Sequence, residues 1–475
     1  MNRPLAILVS SLAFSLAACG SSPAPAPVVT PPFVDTLPQP DAMVNASSAP
    51  GTVEVSLVAG VSTLEMAPAK PATKAYTYNG SSPGPTLVAT EGDHVVIHFT
   101  NNLPQPTTVH WHGLHVPADQ DGSPMDPVAV GKSRDYVFDL PEGSAGTYWY
   151  HPHTDGMTAD QVAMGLYGAI VVRAKSDPLP KGLVDEVLLL NDNRFDANGS
   201  VSADTMDDQM NGRIGDVLFV NGAVNPTMTL RPGETRHLRV VNASAARYYL
   251  LNVPDHQLVK IGSSGGLFGT PQPMDQVLVA PGERAELLLP ATAAPGTATV
   301  LKALAYDRGL MSMGGGKVKP PTDLDLLAIT YTSDAPMKAA VIPDTLRTVA
   351  PLDTTGAVQR SFVLSESGMS YLINGKVYDP KRVDVMAKLG ATEVWTVRND
   401  ADMDHPFHLH GFQFQILDRN GTPEPVVAWE DTVNLPKKAT VRLVVKFADF
   451  PGMRMYHCHI LEHEDLGMMG TLDVE

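Results

Sequence analysis

Histidine pairs separated by a single residue occur four times in this 475-residue chain. The eight histidines are His110 and His112, His151 and His153, His408 and His410, and His457 and His459. On a β-strand, residues i and i+2 point to the same face, so each pair can offer two imidazoles to one side. Imidazole binds copper, zinc, iron and nickel. The pairs therefore predict a transition-metal site without identifying the metal.

Cys458 lies between two of these histidines and identifies the metal. In the run His457–His459 the two histidines face one side of a strand and the thiolate faces the other, so the sulfur can bind a separate ion. Three further candidate ligands for that ion are His405, which precedes Cys458 in the sequence, and His463 and Met468, which follow it. One cysteine, two histidines and a weak methionine are the ligands of a blue-copper electron-transfer site. A metal-bound thiolate also connects that copper to both flanking histidines through bonds.

The frame Gly-x-x-x-Tyr-His-x-His occurs twice, at residues 146–153 and 452–459. Aligned on this frame, the first copy has Thr107, Pro152 and Met157 at the positions of His405, Cys458 and His463. The first copy therefore keeps its paired histidines and lacks a thiolate site. We expect one blue copper and one histidine cluster shared by the two copies.

A second repeat organises the elements that carry these residues. An Asn-Gly turn followed by an alternating apolar strand begins at residues 79, 221 and 374. Repeats of this spacing have the size of single domains. The chain is rich in Gly (39) and Pro (41) and lacks long helical periodicity, which favours an all-β fold of Greek-key β-sandwiches. We place the three domains at residues 51–175, 178–335 and 355–475.

The N-terminus has the features of an export signal. Arg3 precedes an apolar run, and this pattern predicts a signal peptide over residues 1–18. The sequence Leu-Ala-Ala-Cys ending at Cys19 resembles a bacterial lipobox, in which the cysteine is lipidated; plain signal cleavage nearby is the alternative. Residues 19–50 are rich in Ser, Pro and Ala and suit a flexible tether. We expect export to the periplasm or cell envelope, with a lipid anchor at Cys19 as the only membrane contact.

Bulk composition excludes some functions. The formal net charge of −17 disfavours nucleic acid as a partner, since phosphate binding needs clustered Lys and Arg. The chain has only two cysteines, and each has another predicted role, so no disulfide framework is expected. We expect a monomer.

Four motifs together resemble those of the multicopper oxidases, a family that includes laccases, cuprous oxidases and bilirubin oxidase. They are His-Trp-His-Gly, His-Pro-His, His-Pro-Phe-His-Leu-His-Gly and His-Cys-His-Ile-Leu-Glu-His-Glu-Asp-Leu-Gly-Met-Met. The resemblance covers roughly residues 70–475 and is strongest to bacterial three-domain members. It implies three cupredoxin-like domains, of which the second holds no copper. It also implies four copper ions that couple oxidation of a reducing substrate to reduction of O₂ to water.

The resemblance assigns a role to each candidate residue. The type 1 copper would be held by His405, Cys458, His463 and Met468. The type 2 copper would be held by His110 and His408. The two type 3 coppers would be held by His112, His151 and His459, and by His153, His410 and His457. Asp121 and Glu464 resemble the acidic residues that deliver protons to the cluster in this family.

The sequence leaves the reducing substrate open between phenols and metal ions such as Cu(I). Met403 stands where copper-efflux relatives have a cuprous-site methionine, and Met311 and Met313 lie in a Gly-rich segment. Few loop methionines are present, so phenol oxidation of the laccase type is also expected. Eight paired histidines are too many for a copper nitrite reductase, and no ligand is missing, unlike in the copper-free cell-division relative. Copper sequestration for copper tolerance, without turnover, stays open.

Overall fold

The computed structural model describes residues 36–311 and 321–475. The predicted signal peptide, Cys19 and Met313 lie outside the described residues. Strands form nearly all of the regular structure of the described part and assemble into six sheets. The predicted all-β fold class is therefore confirmed.

The first sandwich lies between residues 52 and 173. Its strands are β1 (Thr52–Leu64), β2 (Thr73–Tyr78), β3 (Gly84–Thr90), β4 (His94–Asn101), β5 (His110–His112), β6 (Ser133–Asp139), β7 (Gly146–His151) and β8 (Gly168–Arg173). They form two sheets in the orders β2-β1-β4-β6 and β3-β8-β7-β5. Alternating apolar residues bury one face of each sheet, and Ile97 of the first sheet shares a core with Ile170 of the second.

The second sandwich lies between residues 184 and 331. Its strands are β9 (Val184–Asn193), β10 (Val217–Val220), β11 (Thr227–Leu230), β12 (Thr235–Asn242), β13 (Tyr249–Asn252), β14 (Leu258–Ser263), β15 (Gly266–Met274), β16 (Val277–Val279), β17 (Arg284–Pro290), β18 (Ala298–Leu304) and β19 (Leu324–Tyr331). The sheet orders are β10-β9-β12-β17-β14-β15 and β11-β19-β18-β13-β16. Leu238 and Leu251, from different sheets, lie in one buried core.

The third sandwich lies between residues 358 and 474. Its strands are β20 (Val358–Ser367), β21 (Ser370–Ile373), β22 (Val385–Ala387), β23 (Thr392–Asn399), β24 (His405–Leu409), β25 (Phe414–Arg419), β26 (Thr422–Pro423), β27 (Thr432–Leu435), β28 (Thr440–Lys446), β29 (Gly452–Cys458) and β30 (Met469–Val474). The sheet orders are β21-β20-β23-β28-β25-β26 and β22-β30-β29-β24-β27. Trp395 and Phe407 join the two sheets in one core.

The described part of the chain has three short α-helices between strands: α1 (Thr158–Ala163), α2 (Met206–Asn211) and α3 (Leu461–Asp465). Helix α1 of the first sandwich contacts α3 of the third, where the Asp465 carboxylate accepts hydrogen bonds from the backbone N–H groups of Thr158 (3.0 Å) and Ala159 (2.8 Å). No helix among the described residues is long and apolar enough to cross a bilayer. The exact predicted domain boundaries stay a prediction, since the described residues belong to one compact unit.

Part of the segment expected to be a flexible tether is packed against the sandwiches. The Leu37 N–H donates to the Thr227 carbonyl (2.8 Å), and the Leu37 side chain lies in the core of the second sandwich. The Met43 N–H donates to the Thr86 carbonyl of the first sandwich (2.8 Å). From residue 36 onward, this segment therefore contacts two sandwiches, through Leu37, which is buried, and Met43, which is partly buried.

Candidate metal centre

Two strand pairs present the paired histidines in the same register. In the first sandwich β5 pairs with β7 so that His110 lies opposite His151. In the third sandwich β24 pairs with β29 so that His408 lies opposite His457. Three of the residues between paired histidines point into the sandwich cores, namely Trp111, Leu409 and Cys458. This alternation turns the imidazoles of both strand pairs outward from their own cores and toward each other.

Histidines from the first and third sandwiches meet in three groups. In each group the nitrogen atoms lie within 4.8 Å of one another, and every side chain is buried. The groups are His110, His112 and His408; His112, His151 and His459; and His153, His410 and His457. The structure thus brings together all eight paired histidines, and every group takes ligands from both sandwiches.

The nitrogen atoms that face the centre lie very close together. The Nε2 atoms of His110 and His408 are 3.4 Å apart, and those of His410 and His457 are 3.0 Å apart. Their other ring nitrogens are held from outside: His110 Nδ1–H donates to the Asp121 carbonyl and His408 Nδ1–H to the Asp431 carbonyl, both at 2.9 Å. With Nδ1 carrying the proton, the Nε2 lone pairs face each other. A cation bound between the Nε2 atoms would remove the repulsion between these lone pairs.

Six of the eight paired histidines are held in the protonation state that a metal needs. Burial lowers the pKa of these six, and that of His153 falls to about 3 and that of His408 to about 4. The other four are His112, His151, His410 and His459. Neutral imidazole is the metal-binding form. Both ring nitrogens of His459 also lack a hydrogen-bond partner despite burial, as expected of a residue that binds a metal ion.

The sulfur site lies on the other side of β29. His405, Cys458 and His463 form a fourth buried group, and His405 Nδ1 is 3.2 Å from Cys458 Sγ. Met468 is fully buried in the same core. Burial raises the pKa of the Cys458 thiol, so a thiolate there requires a positive partner such as a metal ion. These residues fit the blue-copper donor set.

The two carboxylates that the sequence singled out, Asp121 and Glu464, adjoin the histidine groups. Asp121 Oδ2 lies 2.8 Å from His410 Nδ1, and Glu464 Oε2 lies 3.1 Å from His457 Nδ1. Burial acts to raise both pKa values, but the neighbouring histidines lower each well below its usual range. Both carboxylates are therefore ionised acceptors at the edge of the cluster.

Other polar residues contact the centre, and no motif in the sequence predicted them. Asp431 Oδ1 lies 3.2 Å from His112 Nε2 and accepts a hydrogen bond from Arg284 Nη1 (2.8 Å). The Thr432 hydroxyl lies 3.0 Å from His408 Nδ1. Arg284 comes from the second sandwich, and no motif spacing links it to the histidines. Only the three-dimensional arrangement shows that the second sandwich also supports the centre.

The methionines proposed for Cu(I) lie in different settings. Met403 is fully buried in the core that contains Cys458. Met311 packs partly buried against the same core, and its backbone N–H donates to Asn211 Oδ1 (2.7 Å). The structure therefore does not place either sulfur on an open surface, and Met313 lies outside the described residues.

Comparison with known proteins gives consistent matches along the chain. Three family models described as multicopper oxidase match residues 61–177, 146–301 and 345–475. The chain is 34% identical over 407 residues to multicopper oxidase mco of Staphylococcus haemolyticus, covering 84% of this chain and 83% of that protein. It is also 31% identical to cell division protein FtsP of Proteus mirabilis, covering 85% of each.

Solved structures show the same architecture. A multicopper oxidase from Campylobacter jejuni, described as a metallo-oxidase, matches with a TM-score of 0.86 and 36% identity, covering 93% of this chain and 96% of that one. A laccase from Pediococcus acidilactici matches with a TM-score of 0.83 and 30% identity, covering 94% of both chains.

Proposed function

This chain belongs to the multicopper oxidase family, and from that premise we propose that it oxidises a reducing substrate one electron at a time and reduces O₂ to water. The observation that carries this proposal is the position of Cys458. Its sulfur lies beside His405, while its two sequence neighbours belong to two different histidine groups. One strand thus connects the electron-accepting site to the oxygen-reducing site through a few covalent bonds.

The four groups correspond to the expected copper sites. His405, Cys458, His463 and Met468 would hold the type 1 copper, and His110 and His408 the type 2 copper. The type 3 coppers would lie between His112, His151 and His459, and between His153, His410 and His457. When bound, these ions supply the redox chemistry. The chain supplies neutral imidazoles, one thiolate and an enclosure from which bulk water is excluded.

Asp121 and Glu464 are proposed to move the protons that O₂ reduction consumes. Each lies beside the outward nitrogen of a cluster histidine, so a proton that the carboxylate carries is released at the edge of the cluster. Asp121 serves the side with His110 and His410, and Glu464 serves the side with His153 and His457. Placing carboxylates on both sides of the cluster suits a reaction that takes up four protons for each O₂.

A phenolic reductant is the substrate class that the surface supports best. A cavity of about 650 Å³ opens between β15 and the segment 424–436 of the third sandwich, with Phe268, Tyr306 and Val433 among its walls. Such a volume suits a small aromatic molecule. Tyr306 in the cavity wall donates to Asp404 (2.6 Å), the residue before His405, and this contact is the link between the cavity and the proposed type 1 site. Cu(I) stays the second candidate, on the strength of Met403 alone.

Side-by-side kinetics on a phenol and on Cu(I) would separate the two substrate classes. The test variant is Met403→Leu, which keeps the buried volume and removes the sulfur. A selective loss of Cu(I) oxidation would support a cuprous site at Met403. Equal losses on both substrates, or no loss on either, would count against it.

Copper sequestration without turnover is the alternative function. Here every predicted copper ligand is present and lies within its expected group or core, which favours an oxidase. Oxygen uptake by the copper-loaded protein with a phenol or Cu(I) decides: uptake that depends on the donor supports the oxidase, and copper binding without uptake supports sequestration.

Export and lipidation are proposed from the N-terminal sequence. The lipobox-like sequence ending at Cys19 supports a lipid anchor on the periplasmic or envelope side of a membrane. Labelling of expressing cells with a radioactive fatty acid should mark the wild-type protein and not Cys19→Ser. Unlabelled wild-type protein in the soluble periplasmic fraction would point to plain signal cleavage.

A further inference from the structure

The two imidazoles of the sulfur site differ in what holds their outward nitrogens. His405 turns Nδ1 toward Cys458 Sγ, and its Nε2 lies 3.1 Å from Glu366 Oε1. His463 Nε2–H donates instead to the backbone carbonyl of Met210 (3.2 Å). Both imidazoles are fully buried. One ligand therefore donates to a carboxylate and the other to a neutral carbonyl.

A single hairpin contacts both imidazoles. Glu366 is the penultimate residue of β20, and it lies directly opposite Tyr371 of β21. The Tyr371 ring stacks on His463, with ring centroids 4.0 Å apart and an angle of 15° between the planes. The Tyr371 hydroxyl donates to the same Met210 carbonyl at 2.9 Å. The hairpin thus contacts the outward side of both imidazoles. Glu366 is the one residue of the hairpin whose carboxylate accepts a hydrogen bond from either imidazole.

The Glu366 side chain is 8% exposed, so its hydrogen bond with His405 is protected from water. A carboxylate that accepts the outer N–H of a ligating histidine makes that imidazole a stronger electron donor. A stronger donor stabilises the more positive oxidised copper relative to the reduced one. The reduction potential of the site then falls compared with a site whose histidines both donate to neutral groups.

We propose that Glu366 is a positioning residue that fixes the orientation of His405 and lowers the reduction potential of the sulfur site. The proposal rests on the type 1 copper assigned above. It also narrows the substrate class, because a site of lower potential withdraws electrons readily only from easily oxidised donors. Those donors are electron-rich phenols and Cu(I), rather than phenols with electron-withdrawing substituents.

The test compares the copper-loaded parent with Glu366→Gln and Glu366→Leu, by redox titration of the blue absorption under anaerobic conditions. Glutamine keeps an acceptor oxygen and removes the charge, whereas leucine removes both. Asp400→Asn is the matched control, since it removes one carboxylate of the same sandwich that is 43% exposed and paired with Arg398. Copper content and circular dichroism are measured first for every variant.

The midpoint potential should rise in Glu366→Gln by about 59 mV or more, which for one electron is a tenfold change in the ratio of reduced to oxidised copper. It should rise further in Glu366→Leu and stay unchanged in Asp400→Asn. In parallel, kcat/KM for an electron-poor phenol should rise relative to that for an electron-rich one.

Two results would overturn the proposal while leaving the oxidase function intact. One is a Glu366→Gln potential equal to that of the parent. The other is loss of the blue absorption from folded Glu366→Gln, since Glu366 would then be needed to bind copper rather than to tune it. If Glu366→Leu alone loses copper, the midpoint potential of Glu366→Gln decides whether the proposal holds. A parent protein without the blue absorption would overturn both this proposal and the proposed function.

Discussion

Cys458 and its two neighbours place separate groups of donor atoms on the two faces of one strand. Its sulfur points toward His405 and the core of the third sandwich, while His457 and His459 point toward the first sandwich. This follows from the two-residue period of a β-strand, which is why the sequence alone could predict it. The paired histidines were predictable for the same reason, since their spacing within each strand is local information.

Residues that support the ligands from other strands could not be predicted. Glu366, Arg284 and Asp431 contact ligands or their partners only because distant strands pair in a particular register. A lone glutamate in β20 has no spacing that relates it to His405. The sequence encodes such contacts through the whole fold, so they emerge only when the strands are placed.

Glu464→Gln should keep the blue absorption and slow turnover by about a hundredfold or more, the usual effect of losing an acid–base group. The amide can still accept from His457 but cannot carry a proton. The measurement is the rate at which the fully reduced protein is reoxidised by O₂. Glu142→Gln, at a side chain that is 68% exposed and paired with Lys175, is the control. Full activity in Glu464→Gln would remove this residue from proton delivery.

Strand register is the feature of the elements that matters most for the centre. The pairing of His110 with His151 and of His408 with His457 repeats one arrangement in two sandwiches. A shift by one residue would turn every imidazole into a core. The repeated frame predicted this equivalence, but the sheet orders and the role of the second sandwich in supporting the centre were not accessible from local patterns.

The turn before β17 approaches the centre closely. Gly282 has a positive φ of +81°, and a Cβ there would lie 2.7 Å from Cδ2 of His459. Gly282→Ala should destabilise the copper-free protein by about 1–3 kcal/mol through overpacking and should weaken copper binding at the type 3 site. Urea unfolding and copper content are the measurements.

Gly356→Ala is the matched control for Gly282→Ala. It shares the positive φ, at +72°, but a Cβ there meets nothing within 4 Å. Backbone strain should therefore be similar in the two variants, and the difference between them should report the contact with His459. Equal destabilisation and equal copper content in both would show that the approach of Gly282 to His459 is unimportant.

At the scale of the whole molecule, the histidine cluster is also an interface. The first and third sandwiches meet through buried imidazoles, and the Asp465 carboxylate joins α1 to α3 beside them. The three-fold repeat of the sequence predicted the sandwiches, but it could not show how they dock. Copper that binds only this docked arrangement should stabilise it.

Stability of the copper-free protein should fall as the pH falls from 7.5 to 5. In the folded state the pKa of His153 is about 3 and that of His408 about 4, both lowered by burial. In the unfolded chain a histidine has a pKa of about 6.5, so the unfolded state binds more protons between these values. The stabilising contribution is complete above about pH 6.5 and is lost toward pH 4. Urea midpoints that do not change over this range would contradict the neutral, buried state of the histidines.

The most direct test of the account is an anaerobic titration of the oxidised, copper-loaded protein with a one-electron reductant. A copper at the sulfur site that exchanges electrons with a three-copper cluster should take up, together with that cluster, about four electrons per chain. The blue absorption should bleach as the electrons enter. Readmission of O₂ should restore the colour. Uptake of about one electron, or uptake without bleaching, would mean that no shared cluster is connected to Cys458 and would contradict the central claim.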